Sequence, residues 1–284
     1  MIRTFKILMS LFLWLKAFTE GQGIKTKFSL VPATILTVFR YGLGVLKIHS
    51  LNHRISILVA KKFSPAVLIN NRNGLFLCRK GSNDFQIVAE AFERSLTKYL
   101  DEIRGGIFID IGANIGRYTV KVARQMGPSG LVVAIEPDPE NFKALIANID
   151  INKLTNVRAI NVACWNRTED LSLSIAPDWD RGVSSIKEKV SSQSISVKGI
   201  RLDDILTDLG INNTTCIKID VEGAEEEVIQ GAVHIINNSD NLKIIFESWN
   251  TSQFNKCKQL LEQCGMNVGD DMIEWKTYLA QKHS

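Results

Sequence analysis

Histidine is scarce in this chain, four in 284 residues, and none follows a predicted strand end. His49 and His53 fall in the N-terminal part, His234 inside a helical stretch and His283 in the tail. The side chain that most often moves protons in enzymes is therefore badly placed, and carboxylates become the better candidates. Cysteine is sparse too. Cys78, Cys164, Cys216, Cys257 and Cys264 are odd in number, scattered, and never spaced Cys-x-x-Cys, so neither a disulfide framework nor a zinc site is indicated. They read as small core residues of a protein in a reducing compartment. The chain also has no internal repeat, no low-complexity tract, and no basic patch interleaved with aromatics, so no nucleic-acid partner is expected.

Acids are nearly missing from the first 82 residues, which hold thirteen Lys or Arg and only Glu20. The rest holds 21 basic and 29 acidic residues, a polarity of roughly +12 against −8 that the net charge of +4 conceals. Within the basic part, Ile7 to Leu15 is apolar but short of the roughly 20 residues that cross a bilayer, and Phe28 to Leu46 is broken by Pro32 and Arg40. No cleavage site of small residues follows. Basic and apolar residues together predict a cytoplasmic protein whose residues 1–46 make peripheral contact with an anionic membrane surface; a helical pair packed on the catalytic domain or on a second subunit is the alternative.

What the chain does have is concentrated in two segments. Phe108-Ile-Asp-Ile-Gly-Ala-Asn-Ile-Gly116 is an apolar strand that ends in an acid and turns through small residues into a helix near Arg117. One strand-helix-strand unit later, Leu131 to Ile135 leads into Glu136-Pro137-Asp138. Glycines at such a turn admit a ligand close to the backbone, and an acid ending the next strand can accept hydrogen bonds from a ribose diol. A dinucleotide fingerprint would need Gly-x-Gly-x-x-Gly. Here Asn114 stands for the middle glycine and Asp110 precedes the first. A carboxylate there repels a pyrophosphate and attracts a cation, so S-adenosyl-L-methionine suits the site better than a nicotinamide dinucleotide. A tight turn without any ligand is the alternative.

Apolar segments at 107–111, 131–136, 157–162, 215–220 and 242–247 alternate with helical patterns at 139–151, after Gly223 and at 251–264, which predicts a parallel sheet with helices on both faces. A hairpin is expected at 66–70 and 75–78, a helix over Phe85–Leu100, and a second hairpin at 171–175 and 195–198. Four of the five strands end in an acid: Asp110, Glu136, Asp220 and Glu247. Ligands of such sheets bind outside the carboxyl ends of the strands. Gathered there, the four predict an electronegative pocket. Asp220 is the first candidate for the catalytic carboxylate, then Glu222 and Glu247. Lys218 shares the strand parity of Asp220 and could pair with an acid of the cluster. A buried ion pair of purely structural role, or Asp220 as a helix cap, are the competing readings. With no third ligand firmly placed, no metal is assigned.

The segments Phe108–Gly116, Ala134–Asp138, Arg201–Leu206, Ile217-Lys-Ile-Asp-Val-Glu-Gly-Ala-Glu225 and Ile244–Glu247 resemble the FkbM-type branch of class I S-adenosylmethionine-dependent methyltransferases. The likeness runs from about Asn83 to Glu247, with Lys218–Gly223 its most specific part. It implies a Rossmann-like seven-stranded sheet with helices on both faces, to which Met266–Val268 and Lys276–Ala280 could add antiparallel edge strands; the basic, apolar N-terminal extension lies outside the likeness. It implies methyl transfer, usually to a hydroxyl of a sugar, a lipid or a secondary metabolite. Asp110, Gly112, Asn114 and Gly116 would line the methionine part of the cofactor and Glu136 the ribose. Asp138, Val162 and Ala163 would lie near adenine or ribose. The expected organisation is an extension over 1–60, a hairpin and helix over 61–105, and the cofactor-binding domain over 106–284. The rivals are an NAD-type oxidoreductase and a non-catalytic binding protein of the same fold.

Overall fold

The computed structural model describes residues 17–45, 55, 58–274 and 276–282. Ile7 to Leu15, His49, His53 and His283 lie outside them. The chain divides into two compact units, one of residues 1–94 with 177–181 and the other of 95–176 with 182–284.

In the first unit a helix α1, Ile24–Val45, runs through Pro32 without a break. Proline removes one backbone donor, but Pro32 and Phe28, one turn before it, are both exposed, so water can take the carbonyl left without a partner. Among the described residues no helix is long and apolar enough to cross a membrane. A π-helical turn, Val59–Phe63, precedes an antiparallel hairpin of β1, Val67–Asn71, and β2, Gly74–Cys78, closed through Arg72 and Asn73. The helix expected over Phe85–Leu100 is two helices instead: α2, Asp84–Val88, in this unit and α3, Arg94–Leu100, which opens the second. The Val88 carbonyl is taken by Asn71 Nδ2 at 2.9 Å and Ala89 turns to extended backbone, which stops the first helix where the hairpin claims its end.

The second unit is built on a seven-stranded sheet. Its elements are β3 (Gly106–Ile111), α4 (Arg117–Met126), β4 (Gly130–Ile135), α5 (Pro139–Ile151), β5 (Val157–Ile160), then a small sheet of β6 (Ala163–Trp165), β7 (Glu169–Ser174) and β8 (Ser194–Arg201). There follow α6 (Leu202–Asp208), β9 (Cys216–Ile219), α7 (Glu225–Gln230), α8 (Val233–Asn238), β10 (Lys243–Glu247), α9 (Thr251–Gln263), β11 (Asn267–Val268) and β12 (Thr277–Gln281). The large sheet is ordered β11-β12-β10-β9-β3-β4-β5. This is the class I methyltransferase sheet, with helices on both faces. One detail differs from expectation: β12 alone runs against the direction of the other six strands, and it lies between β10 and β11, leaving β11 at the edge.

Strand alternation sorts the core. Ile109, Ile111, Val133, Ile135, Ile217, Ile219, Ile244 and Phe246 pack with residues of α6 to α9 on one face. Phe108, Val132, Cys216 and Ile245 pack with α3 and α4 on the other. The predicted single helix after Gly223 is interrupted at Gly231, where a Cβ would stand 2.1 Å from the Trp165 carbonyl oxygen. The Asp203 carboxylate then accepts from the backbone N–H groups of His234 and Ile235 at 3.0 and 2.9 Å, starting α8 afresh.

Candidate functional site

Parallel strands β3, β4, β9 and β10 end along one edge of the sheet. Their register sets Asp110 between Ala134 and Lys218, and Lys218 beside Ile245. Side chains alternate, so the next residues on that face are Glu136, Gly112, Asp220 and Glu247. The ladder continues to this level: the Gly112 N–H donates to the Ile135 carbonyl at 2.9 Å, that of Asp220 to Ile111 at 3.1 Å and that of Glu136 to Ile160 at 3.1 Å. Strand parity thus places the four acids that end strands on one face of one edge.

Lys218 and Asp110 are buried within this group. Lys218 Nζ donates to Asp220 Oδ2 at 2.9 Å, lies 3.9 Å from Asp110 Oδ1 and sits 5.2 Å from the centroid of the Tyr118 ring. Asp110 Oδ2 accepts from Thr119 Oγ1 at 2.6 Å, while Oδ1 has no hydrogen-bond partner. Burial pushes the Asp110 carboxyl above the usual carboxylate range; the Lys218 ammonium and the Thr119 hydroxyl pull the other way. The Asp220 side chain is 28% exposed, so this pair has one end in the core and one reaching water. Asp220 is not the cap of the following helix. That position is Ala224, and the Asp220 carboxylate turns back to Lys218.

The turn after β3 takes left-handed backbone at Gly112, Asn114 and Gly116, with φ of 77°, 50° and 88°. A Cβ on Gly112 would stand 1.7 Å from the Asp220 carbonyl oxygen. What this glycine admits is therefore the end of β9, tying the first strand to the carboxylate at the end of the fourth. Asn114, not being glycine, is held in that conformation from outside: its N–H donates to Glu136 Oε2 at 2.7 Å. The other oxygen of Glu136 accepts from the Asp138 N–H at 3.0 Å. Burial pushes the Glu136 carboxyl up to about 7, against the two backbone donors.

Asp138 is fully buried and caps α5, accepting from the N–H groups of Glu140 and Asn141 at 2.9 and 3.5 Å. Asn161 Nδ2 donates to the Glu136 and Pro137 carbonyls at 2.7 and 3.1 Å. Val162 is half-buried, and Ala163 is buried in β6 opposite Gly199.

The loop after Asp220 is braced by residues that sequence reading passed over. Glu225 is the first of them. Its Oε1 accepts from the N–H groups of Val221 and Gly223, each at 3.2 Å, and its Oε2 accepts from Gln253 Nε2. Burial raises this carboxyl to about 7 as well. Glu222 has a φ of 54°, and its carbonyl accepts from Ser185 Oγ at 2.7 Å. An acid five residues beyond Asp220 with a glycine between was the available signal for a carboxylate reaching back to loop N–H groups. Tyr118 and Thr119, in the first turn of α4, were missed too. Glu247 is half-buried, opposite Thr277 of β12. His234 is exposed on α8 beside Asn238. Among the described residues no three His, Cys, Asp or Glu side chains form a set that could hold a metal ion.

Residues 110–268 match the family model described as the methyltransferase FkbM domain, which covers more than half of the chain. "Methyltransferase sdnD" of Sordaria araneosa is 25% identical over 202 residues, spanning 59% of this chain and 76% of that protein. "Hexuronic acid methyltransferase AglP" of Haloferax volcanii is 28% identical over 130 residues, 45% of this chain and 51% of that protein. Among solved structures, the methyltransferase FkbM of Methylobacillus flagellatus aligns over 63% of this chain and 44% of that one, with 17% identity and a TM-score of 0.47.

Proposed function

Because the chain belongs to the FkbM methyltransferase domain family, with S-adenosyl-L-methionine as its methyl donor, we propose that it is an O-methyltransferase acting on a hydroxyl of a sugar, a glycolipid or a secondary metabolite. The observation that carries this reading is the file of carboxylates on one strand edge, centred on the ion pair of Lys218 with Asp220. Family membership sets the oxidoreductase reading aside.

The residues suit a cationic, phosphate-free cofactor. Asp110 Oδ1 and Asn114 Oδ1 are buried acceptors without a hydrogen-bond partner, which match ammonium and hydroxyl donors. Lys218, buried at this edge, is already engaged by carboxylates and offers a pyrophosphate nothing. Asp110, Gly112, Asn114 and Gly116 then bind the methionine part and Glu136 the ribose. Asp138 acts by holding the Glu136 segment, while Val162 and Ala163 border adenine.

Bound there, the cofactor supplies an electrophilic methyl carbon on a sulfonium. Asp220 would accept the hydrogen bond of the acceptor hydroxyl at its solvent-reaching end and take the proton as the oxygen–carbon bond forms and the methyl carbon–sulfur bond breaks, leaving a neutral thioether. Lys218 holds Asp220 in place from below, and Glu222 and Glu247 flank the acceptor. Positioning is the larger contribution, since well-oriented intramolecular reactions gain about 7–11 kcal/mol. A sugar acceptor is supported by the hexuronic acid methyltransferase among the relatives. The test is transfer of labelled methyl to hydroxylated extracts by the purified chain. Asp220→Asn is expected to keep affinity for S-adenosylhomocysteine and to lose about 10²- to 10⁴-fold in rate. An unchanged rate removes Asp220 from the chemistry, and binding without any turnover leaves a non-catalytic protein of this fold.

A further inference from the structure

Helix α1 presents its two faces in reverse. The face turned to protein buries Leu30, Ala33, Thr34 and Thr37, two of them hydroxyl residues, and Thr34 Oγ1 has no hydrogen-bond partner there. The face turned outward carries Ile24, Phe28, Ile35 and Phe39, exposed by 75%, 73%, 56% and 54%. At 100° per residue these four fall within about 60° of arc. A helix bathed only in water would put the phenylalanines inward and the threonines outward. A stripe this apolar marks a surface that meets another medium or partner.

Charge chooses the occupant. Lys25 and Lys27 are exposed at the start of the stripe, on either side of it on the helical wheel, and Lys61 and Lys62 of the π-helical turn that packs against α1 are exposed as well. The one acid among residues 1–82, Glu20, is buried with its carboxylate on Asn71 Nδ2 at 2.7 Å. With thirteen basic residues in that stretch, two copies meeting face to face would repel, whereas an anionic lipid surface would be neutralised. We infer that α1 lies in the plane of an anionic bilayer, its Ile24, Phe28, Ile35 and Phe39 side chains inserted between headgroups and its flanking lysines on lipid phosphates and carboxylates. The inference is independent of methyl transfer.

Sedimentation of the full chain with vesicles tests it. Retention is expected on phosphatidylcholine vesicles containing phosphatidylserine, release by salt, and little retention on phosphatidylcholine alone. Phe28→Ser with Phe39→Ser, and separately Lys25→Glu with Lys27→Glu, should each weaken retention about tenfold or more. The lysine pair is exposed and keeps the test valid should the phenylalanine pair fail to fold. Equal retention of wild type and both variants overturns the inference, as does no retention at all. A phenylalanine variant that loses self-association in sedimentation velocity while retention stays unchanged assigns the stripe to a second copy. One that only lowers the melting temperature assigns it to the chain's own residues. Resistance to an alkaline carbonate wash would mean a spanning segment instead.

Discussion

Replacing Lys218 by methionine isolates the ion pair at the centre of the site. The change keeps the apolar stem of the side chain and removes the charge from beside Asp110, which is fully buried and 3.9 Å away. At an effective dielectric constant of about 20 that contact is worth about 4 kcal/mol before desolvation is counted. Losing one partner of a buried pair costs about 3–5 kcal/mol overall, most of it from Asp110 because Asp220 still reaches water. With the lysine gone, the Asp110 carboxyl rises further above its ordinary value of 3.8. A raised carboxyl destabilises the fold above its unfolded-state pKa, so the cost should be largest near neutral pH and should shrink as pH falls toward 3.8. Urea unfolding across that range reads it directly. Adding Asp110→Asn to Lys218→Met should restore part of the lost stability, making the double variant more stable than Lys218→Met alone. If the two single costs simply add, Asp110 and Lys218 are not coupled and the reasoning fails.

Three further outcomes follow from the geometry. Gly112→Ala forces a side chain into left-handed backbone against the Asp220 carbonyl; it should cost more than about 1 kcal/mol in thermal unfolding, and a wild-type melting temperature would contradict the close approach. Glu225 is raised from 4.5 to about 7 by burial, so the folded state binds the extra proton between those values and stability contributed by this group falls as pH rises through them. Glu225→Gln should flatten that part of the stability profile, and an unchanged slope would show that Glu225 does not titrate there. Asp138→Ala removes the cap of α5 and should lower stability by about 1 kcal/mol; a change in S-adenosylhomocysteine affinity without that loss would mean a direct contact instead.

The strands were legible because each is a short apolar run, four of the five closed by an acid, and parity put Lys218 on the face of Asp220, where it could pair with an acid of the cluster. Sequence patterns carry that information because a strand has a period of two. Other features depend on which distant group claims a backbone atom. Val88 ends α2 because Asn71 reaches its carbonyl, and Gly231 splits the next pair of helices because Trp165 lies against it. Neither neighbour can be read from local periodicity. The glycine at 112 was read as admitting a ligand close to the backbone, whereas the atom that approaches it is Asp220's carbonyl oxygen. The role of Glu225 was not legible because a helix-end acid serves the helix dipole equally well whether it is exposed or folded back onto a loop.

The placement of β12 has a consequence for the order in which the protein can be made. Thr277–Gln281 follows β11 in the chain, yet it separates β10 from β11. Until a nascent chain has delivered it, β10 shows an open hydrogen-bonding edge and β11 has no neighbour to pair with. Such an edge is a template for adventitious pairing with another polypeptide. Productive folding of this sheet thereby waits for residues 277–281, and a product stopped before them is the form a chaperone would have to guard.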